Sequence, residues 1–259
     1  LEELIKMLVE AHGIIKESDD LWRVETSRVE NLRVPPTLVG VLQARFDSLL
    51  YPEKVVLQRA SALGRAFFDT ALKAMDGTDE IYLDHLEHIL VGLEKREFIH
   101  RRETSSFAGS KEYVFAQNML RDQIYETLLE WQRRIYHACI AEWLETVAGD
   151  RVAEYTPQIA ENYERAGKLE KAAEYLYYAG KQAFERGIFN DASQLLQRSV
   201  TLFGEASDPR SLESRLLLGN TLLRQGDLRN VVELFAWTLN AAGEIGNESL
   251  QARALYQLS

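Results

Sequence analysis

The sequence predicts a mostly α-helical chain in two parts: a small helical domain that carries a β-hairpin, then an array of paired helices. Three observations predict it. Residues 155–203 read as three amphipathic helical runs separated by two glycines, Gly167 and Gly187. Residues 98–115 switch from the helical period to the alternation of two short strands. The composition, 46% hydrophobic and 27% charged over 259 residues, is that of a globular chain with room for two domains.

Composition also excludes function classes. A net charge of −10 makes nucleic acid and anionic membrane poor first guesses for a partner. The single cysteine, Cys139, excludes a disulfide framework and reads as a small core residue in a reducing compartment, hence a cytoplasmic chain. No apolar run reaches the length of a membrane span, and no signal peptide is visible, so no membrane insertion is expected. The chain lacks an initiator Met and breaks off inside a helical pattern, as a fragment of something larger would.

In order, residues 1–11 form an amphipathic helix with Leu4, Ile5, Leu8 and Val9 on one face, stopped by Gly13. Residues 14–16 and 21–25 read as a small hairpin with Trp22 over one face. Val34-Pro35-Pro36-Thr37 opens a helix over 38–49, and Pro52 opens the next, closed by Gly64. Asp69 or Thr70 caps a short helix ending near Met75. Thr78 caps another from Asp79 to about Glu94, with carboxylates at its positive end. Strands over 98–102 and 112–115 enclose a polar loop, residues 103–110. Asn118 then caps a helical stretch, broken near Trp131, that ends at Gly149-Asp150. The helix, helix, helix, strand, loop, strand order predicts a winged-helix domain with a small β-hairpin wing.

The second part carries a repeat. Pro157 begins its first helix. Ala160, Tyr163, Gly167, Ala172, Leu176 and Ala179 occupy the small and large positions of a tetratricopeptide (TPR) repeat, and Leu218-Gly219, Leu222, Gly226 and Phe235 occupy them again. Alanines and glycines at a crossing let two backbones approach, and large residues fill the space beside them. Such a pair cannot bury its apolar face alone and must stack on neighbours. The next pair is expected over 212–225 and 228–243, after a polar linker at 205–210. Gly187 to Gly226 exceeds the usual period of about 34 residues, so the repeats are degenerate. The expected domains are a lid remnant plus hairpin over 1–33, the winged-helix domain with trailing helices over 34–150, and a TPR-like right-handed helical-repeat array over 151–259.

These residues together resemble the C-terminal part of the ATPase core and the start of the TPR region in STAND-type signalling ATPases, above all those attached to class III adenylyl/guanylyl cyclases and related bacterial regulators. The likeness covers about residues 1–203. It rests on Leu1-Glu2-Glu3-Leu4, on the run from Val34-Pro35-Pro36-Thr37-Leu38 to Ala44-Arg45-Phe46-Asp47-Ser48-Leu49, on residues 57–67, and on Phe115, Tyr125, Leu128, Arg134, His137, Ala141 and Glu145. A histidine that the family commonly carries two residues after the strand phenylalanine is Gln117 here, which cannot become cationic, so no nucleotide contact is carried over. The resemblance implies a regulatory arm that couples the nucleotide state of an upstream ATPase to a partner-binding surface. ATP or ADP would belong to the longer parent.

Searches for chemistry return little. No G-x-x-x-x-G-K-[ST] phosphate loop occurs. His85 and His88 sit three apart on an expected helix face without a third metal ligand. No catalytic, cofactor-binding or metal residue is therefore assigned. His137 reads as a buried histidine bonded to a carbonyl or carboxylate, or else as a hinge contact. Arg96, Arg101 and Arg102, with Lys95, His100 and Lys111, make a basic wing. Asp79, Glu80, Asp84, Glu87 and Glu94 on the expected third helix oppose its use on DNA. Tyr163, Tyr177 and Tyr178 are the candidates for a partner-binding face, the partner being a protein, a peptide or another domain of the same chain. A DNA-reading regulator and a nucleotide-binding module of a cyclase are the alternatives.

Overall fold

The computed structural model describes Ile5, Val9, Ile14–Lys16, Trp22–Val24 and residues 38–77, 85–204, 208–228 and 230–259. The expected first helix lies outside them except for Ile5 and Val9, both helical, and so does the Val34-Pro35-Pro36-Thr37 helix start. The chain is mostly helical and divides into two compact units, Leu1–Tyr136 and His137–Ser259. The sequence reading placed that boundary at residue 150. Among the described residues no helix is long and apolar enough to cross a membrane.

In the first unit, β1 (Ile14–Lys16) and β2 (Trp22–Val24) pair antiparallel as the expected hairpin. There follow α1 (Leu38–Asp47), α2 (Tyr51–Leu63), β3 (Ala66–Phe68), α3 (Asp69–Ala74), α4 (Leu86–Lys95), β4 (Ile99–Arg101), β5 (Glu112–Phe115) and α5 (Asn118–Glu126). Pro52 stands in the first turn of α2, where a missing N–H costs nothing, and the Glu53 carboxylate accepts from Leu50 N at 2.9 Å. Gly64 ends α2 at φ 122°. The next three residues form a strand that the sequence reading missed. β3 pairs antiparallel with β5 (Phe67 opposite Tyr113), β5 pairs with β4, and the sheet order is β3–β5–β4. Phe67 stacks on Tyr113 at 5.6 Å and meets Phe115 at 5.5 Å, and with Leu57, Leu72, Leu90, Phe98 and Ile124 these rings make the core.

Two expectations are corrected by the structure, and a third is met. Asp69 is the first residue of α3 rather than its cap, because its carboxylate is taken by Lys111 N at 2.8 Å. The helix expected from Asp79 begins at Leu86, because His85 adopts φ 58°, a left-handed conformation that interrupts a helix; residues 78–84 lie outside the described ones. The expected break near Trp131 falls at residues 127–129, where the Thr127 hydroxyl donates back to Ile124 O at 2.6 Å.

α6 (Glu130–Ala148) and a 3-10 turn (Gly149–Arg151) lead to α7 (Val152–Arg165), α8 (Leu169–Glu185), α9 (Phe189–Phe203), α10 (Pro209–Gln225), α11 (Val231–Glu244) and α12 (Glu248–Leu258). Pro157 does not open α7 but sits inside it. The Thr156 hydroxyl, 3.1 Å from Ala153 O, donates to the carbonyl that the proline leaves without its N–H partner. α10 starts at Pro209, earlier than expected, with the Asp208 carboxylate capping Arg210 N at 2.7 Å. Cys139 is half-buried rather than a core residue.

Consecutive helices turn at Gly167, Gly187, Gly226 and Gly246, all with φ between 68° and 79°. α8, α10 and α12 pack side by side as one layer, and α9 and α11 pack on that layer from the other side. Two glycines fix how close the layers come. A Cβ placed on Gly180 would lie 2.6 Å from Leu196 Cγ, and one on Gly219 would lie 2.4 Å from Phe235 Cε1. The second pair repeats the first 39 residues on, Gly180 to Gly219 and Leu196 to Phe235.

Gly180→Ala should therefore cost about 1–3 kcal/mol, as overpacking does. Gly187→Ala, at a φ of 77° with open space around it, should cost about 1–2 kcal/mol through backbone strain alone. Urea unfolding of the two variants checks both costs; a Gly180→Ala variant as stable as the parent would contradict the close approach.

Candidate interaction surface

The tyrosines of α7 and α8 separate by depth. Tyr163 is fully buried: its hydroxyl donates to Glu145 Oε1 at 2.7 Å, and its ring lies 5.8 Å from that of Tyr175 and 4.8 Å from Lys171 Nζ. Burial, and then the Glu145 carboxylate, hold both phenols well above the usual tyrosine range. Tyr163 is thus a core residue and not part of a partner face, because the second half of α6 delivers Glu145 over it. Tyr177 is half-buried and its hydroxyl donates to Glu213 Oε2 at 3.3 Å. Tyr178, 45% exposed, meets Glu174 Oε1 at 3.4 Å and the Tyr177 ring at 5.5 Å. Of the three predicted tyrosines, these two border solvent.

They belong to a surface that crosses α8, α10 and α12. Glu174 on α8 pairs with Arg210 at the start of α10 (3.2 Å), and Glu213 on α10 pairs with Arg253 on α12 (3.8 Å). The two glutamates stand 39 residues apart, as the crossing glycines do. The same spacing aligns Tyr178, Leu217 and Tyr256 as one row over the layer. Between α10 and α12 a cavity of about 250 Å³ opens, lined by Leu216, Asn220, Ala252, Arg253, Tyr256 and Gln257. The sequence reading missed Glu174, Glu213, Arg253 and Tyr256. Their signal was the 39-residue spacing, obscured by the change from tyrosine to leucine and back.

The basic residues of the first unit do not form one patch. Arg96 lies at the C-terminus of α4, away from the hairpin loop; its guanidinium reaches Glu53 Oε2 and Ser48 Oγ, both at 3.2 Å, and its carbonyl accepts from Arg45. Arg102 pairs with Glu112 at 2.7 Å, and Lys111 pairs with Glu87. That pairing raises the Lys111 ammonium's pKa and lowers that of the Glu87 carboxyl. Arg101 is exposed, with its backbone N–H on Glu94. The loop between β4 and β5 is tied down: buried Glu112 also accepts from Ser106 N and Oγ at 2.9 Å, and Phe107 sets its edge on Phe68 at 5.0 Å.

His85 and His88 do not share a helix face, since His85 precedes α4 in its left-handed conformation. Both line a cleft of about 660 Å³ with Lys73, Asp76 and Glu87. Among the described residues no three His, Cys, Asp or Glu side chains gather as metal ligands would. His137 is buried, and its Nδ1 lies 2.7 Å from Asn162 Oδ1. Because Asn162 Nδ2 donates to Gln158 O, Oδ1 is the acceptor and the proton sits on Nδ1. The acceptor is the side-chain carbonyl of Asn162, in keeping with the expected buried histidine bonded to a carbonyl.

The uncharacterized protein R02095 of Rhizobium meliloti (strain 1021) is 26% identical over 214 residues, an alignment that covers 79% of this chain and 19% of that protein. The chain thus spans about one-fifth of that relative's length. No protein-family model matches the chain, and no solved structure is significantly similar to it.

Burial, then the Glu213 carboxylate, push the Tyr177 phenol up to about 12. An ordinary tyrosine ionises near 10, so the neutral form favours the fold. Its contribution is complete below about pH 10 and is lost as pH rises through the folded value. Tyr177→Phe should remove a component near pH 12 from the 295-nm absorbance titration and flatten the alkaline loss of stability there. A titration unchanged by the substitution would contradict the assignment.

Proposed function

We propose that this chain is a non-catalytic regulatory and protein-interaction arm of a multidomain signalling ATPase of the STAND type. The element order from α2 to β5, helix, strand, helix, helix, strand, strand, is in keeping with a winged-helix domain, and β4–β5 with its loop would be the wing. The second unit supports a TPR-like reading through its crossings: a small residue against a large one sixteen positions later, at Gly180 and Leu196 and again at Gly219 and Phe235. The observation that carries the functional reading is the row Tyr178, Leu217 and Tyr256. Equal spacing along three alternate helices, with Tyr178 and Tyr256 exposed and Leu217 half-exposed, supports an apolar track beside ion pairs made within the chain.

A track of this kind suits a protein or peptide partner, or another domain of the same chain. The winged helix would couple the nucleotide state of an upstream ATPase to the array, with ATP or ADP bound in the parent and the whole cytoplasmic. The greater length of the Rhizobium relative is consistent with this stretch being one part of a long chain. The pairing of Arg102 and Lys111 with carboxylates weighs against the wing as a DNA reader, since cations already paired release fewer counterions from phosphates.

The purified chain, incubated with magnesium and ATP, should release phosphate no faster than a protein-free control, and neither ATP nor ADP should raise its Tm. Sustained turnover, or a saturable Tm rise with nucleotide, would contradict the reading.

A further inference from the structure

We propose that Thr104, in the loop between β4 and β5, is a phosphorylation site for a serine/threonine protein kinase that reads arginine ahead of the acceptor. The inference stands apart from the interaction-arm reading. The stretch runs Arg101-Arg102-Glu103-Thr104-Ser105-Ser106. Its arginines stand three and two residues before the threonine. Kinases discriminate substrates by such charge patterns, and carboxylates in the kinase cleft are the complement of these two guanidiniums.

The fold leaves this one hydroxyl available. The loop is anchored on both sides of Thr104. Before it, Arg102 N donates to Glu112 O, and the Arg102 guanidinium pairs with the Glu112 carboxylate. After it, Ser106 N donates to the same carboxylate. The Ser106 hydroxyl is also engaged by Glu112, at 2.9 Å, and the Ser105 hydroxyl donates to Phe107 O at 3.1 Å. Thr104 is exposed, and its hydroxyl makes no hydrogen bond among the described residues. Nor do the backbone N–H and C=O groups of residues 103–105. An extended segment docks through its main-chain groups, and these three residues can do so without breaking a bond. Arg101 is exposed as well, and its guanidinium makes no hydrogen bond or ion pair among the described residues. It can enter an acidic subsite without leaving a partner behind.

In the transfer, the Thr104 oxygen bonds to the γ-phosphorus of ATP as the bond from that phosphorus to the β–γ bridging oxygen breaks. ADP leaves with the bonding pair, and the hydroxyl proton passes to a carboxylate of the kinase. The phosphate carries a charge of about −1.5 to −2 at pH 7. Glu112 already balances Arg102, so this charge outweighs that of Arg101 and reverses the sign at this end of the loop. A surface that faces the hairpin would then meet two electrostatically distinct forms of it.

The test uses the full folded chain, magnesium ATP and the catalytic subunit of cyclic-AMP-dependent protein kinase as an arginine-directed probe, with the modified residue located by tandem mass spectrometry. Phosphate should go to Thr104, with a kcat/KM within about tenfold of that for a free peptide of residues 98–109. Thr104→Val should abolish incorporation into the loop. Arg101→Ala should lower kcat/KM by about tenfold or more, as loss of a charge-assisted pair does. Phosphate on Ser105 or Ser106 instead, a rate indifferent to Arg101→Ala, transfer only to the urea-unfolded chain, or no transfer at all would each overturn the assignment.

Discussion

The second unit depends on one steric constraint: at the crossings between its two layers of helices there is no room for a Cβ. Gly180 faces Leu196 and Gly219 faces Phe235 so closely that any side chain would overlap the larger partner. Dispersion and apolar burial reward that approach only while the small residue stays small. Because both crossings use the same separation along the chain, residues 39 apart on α8 and α10 occupy equivalent places in their helix pairs. Glu174 and Glu213 share that spacing, as do Tyr178, Leu217 and Tyr256, and each glutamate pairs with an arginine of the next helix in its layer, Arg210 and Arg253.

The first unit is organised by carboxylates that hold backbone. Asp69 and Glu112 both bind the segment around the β4–β5 loop: Asp69 takes the amide of Lys111, and Glu112 takes Arg102 and Ser106. With Phe107 seated on Phe68, the loop becomes part of the sheet's packing. Charges that look available in the sequence are thereby used internally. A count of lysines and arginines along a hairpin overstates what the hairpin can offer a partner.

Long, strongly periodic elements were legible in the sequence, as were the glycine turns that separate them. α8, α9 and the strands β4 and β5 fall close to their expected places because apolar period and turn residue agree there. β3 was missed because three residues carry too little alternation, and because Phe67 gains strand geometry only from its ladder with Tyr113. Pro157 misled because proline usually opens a helix, while here the Thr156 hydroxyl serves the orphaned carbonyl. Tyr163 fills a packing position of the repeat, and its candidacy for a partner face fails because nothing local reveals that Glu145, eighteen residues earlier, will cover it. Tyr256 and Arg253 were invisible as a site because their neighbours, Leu216 and Asn220, lie on another helix.

The most direct measurement is a double-mutant cycle at the second crossing, combining Gly219→Ala with Phe235→Leu. If the layers are in contact as described, shortening the ring makes room for the new methyl. The double variant should then be more stable than the sum of the single losses by about 1 kcal/mol or more. Losses that add to within about 0.5 kcal/mol would mean that the two residues do not share a crossing, and the alignment of the inner helices would lose its cause.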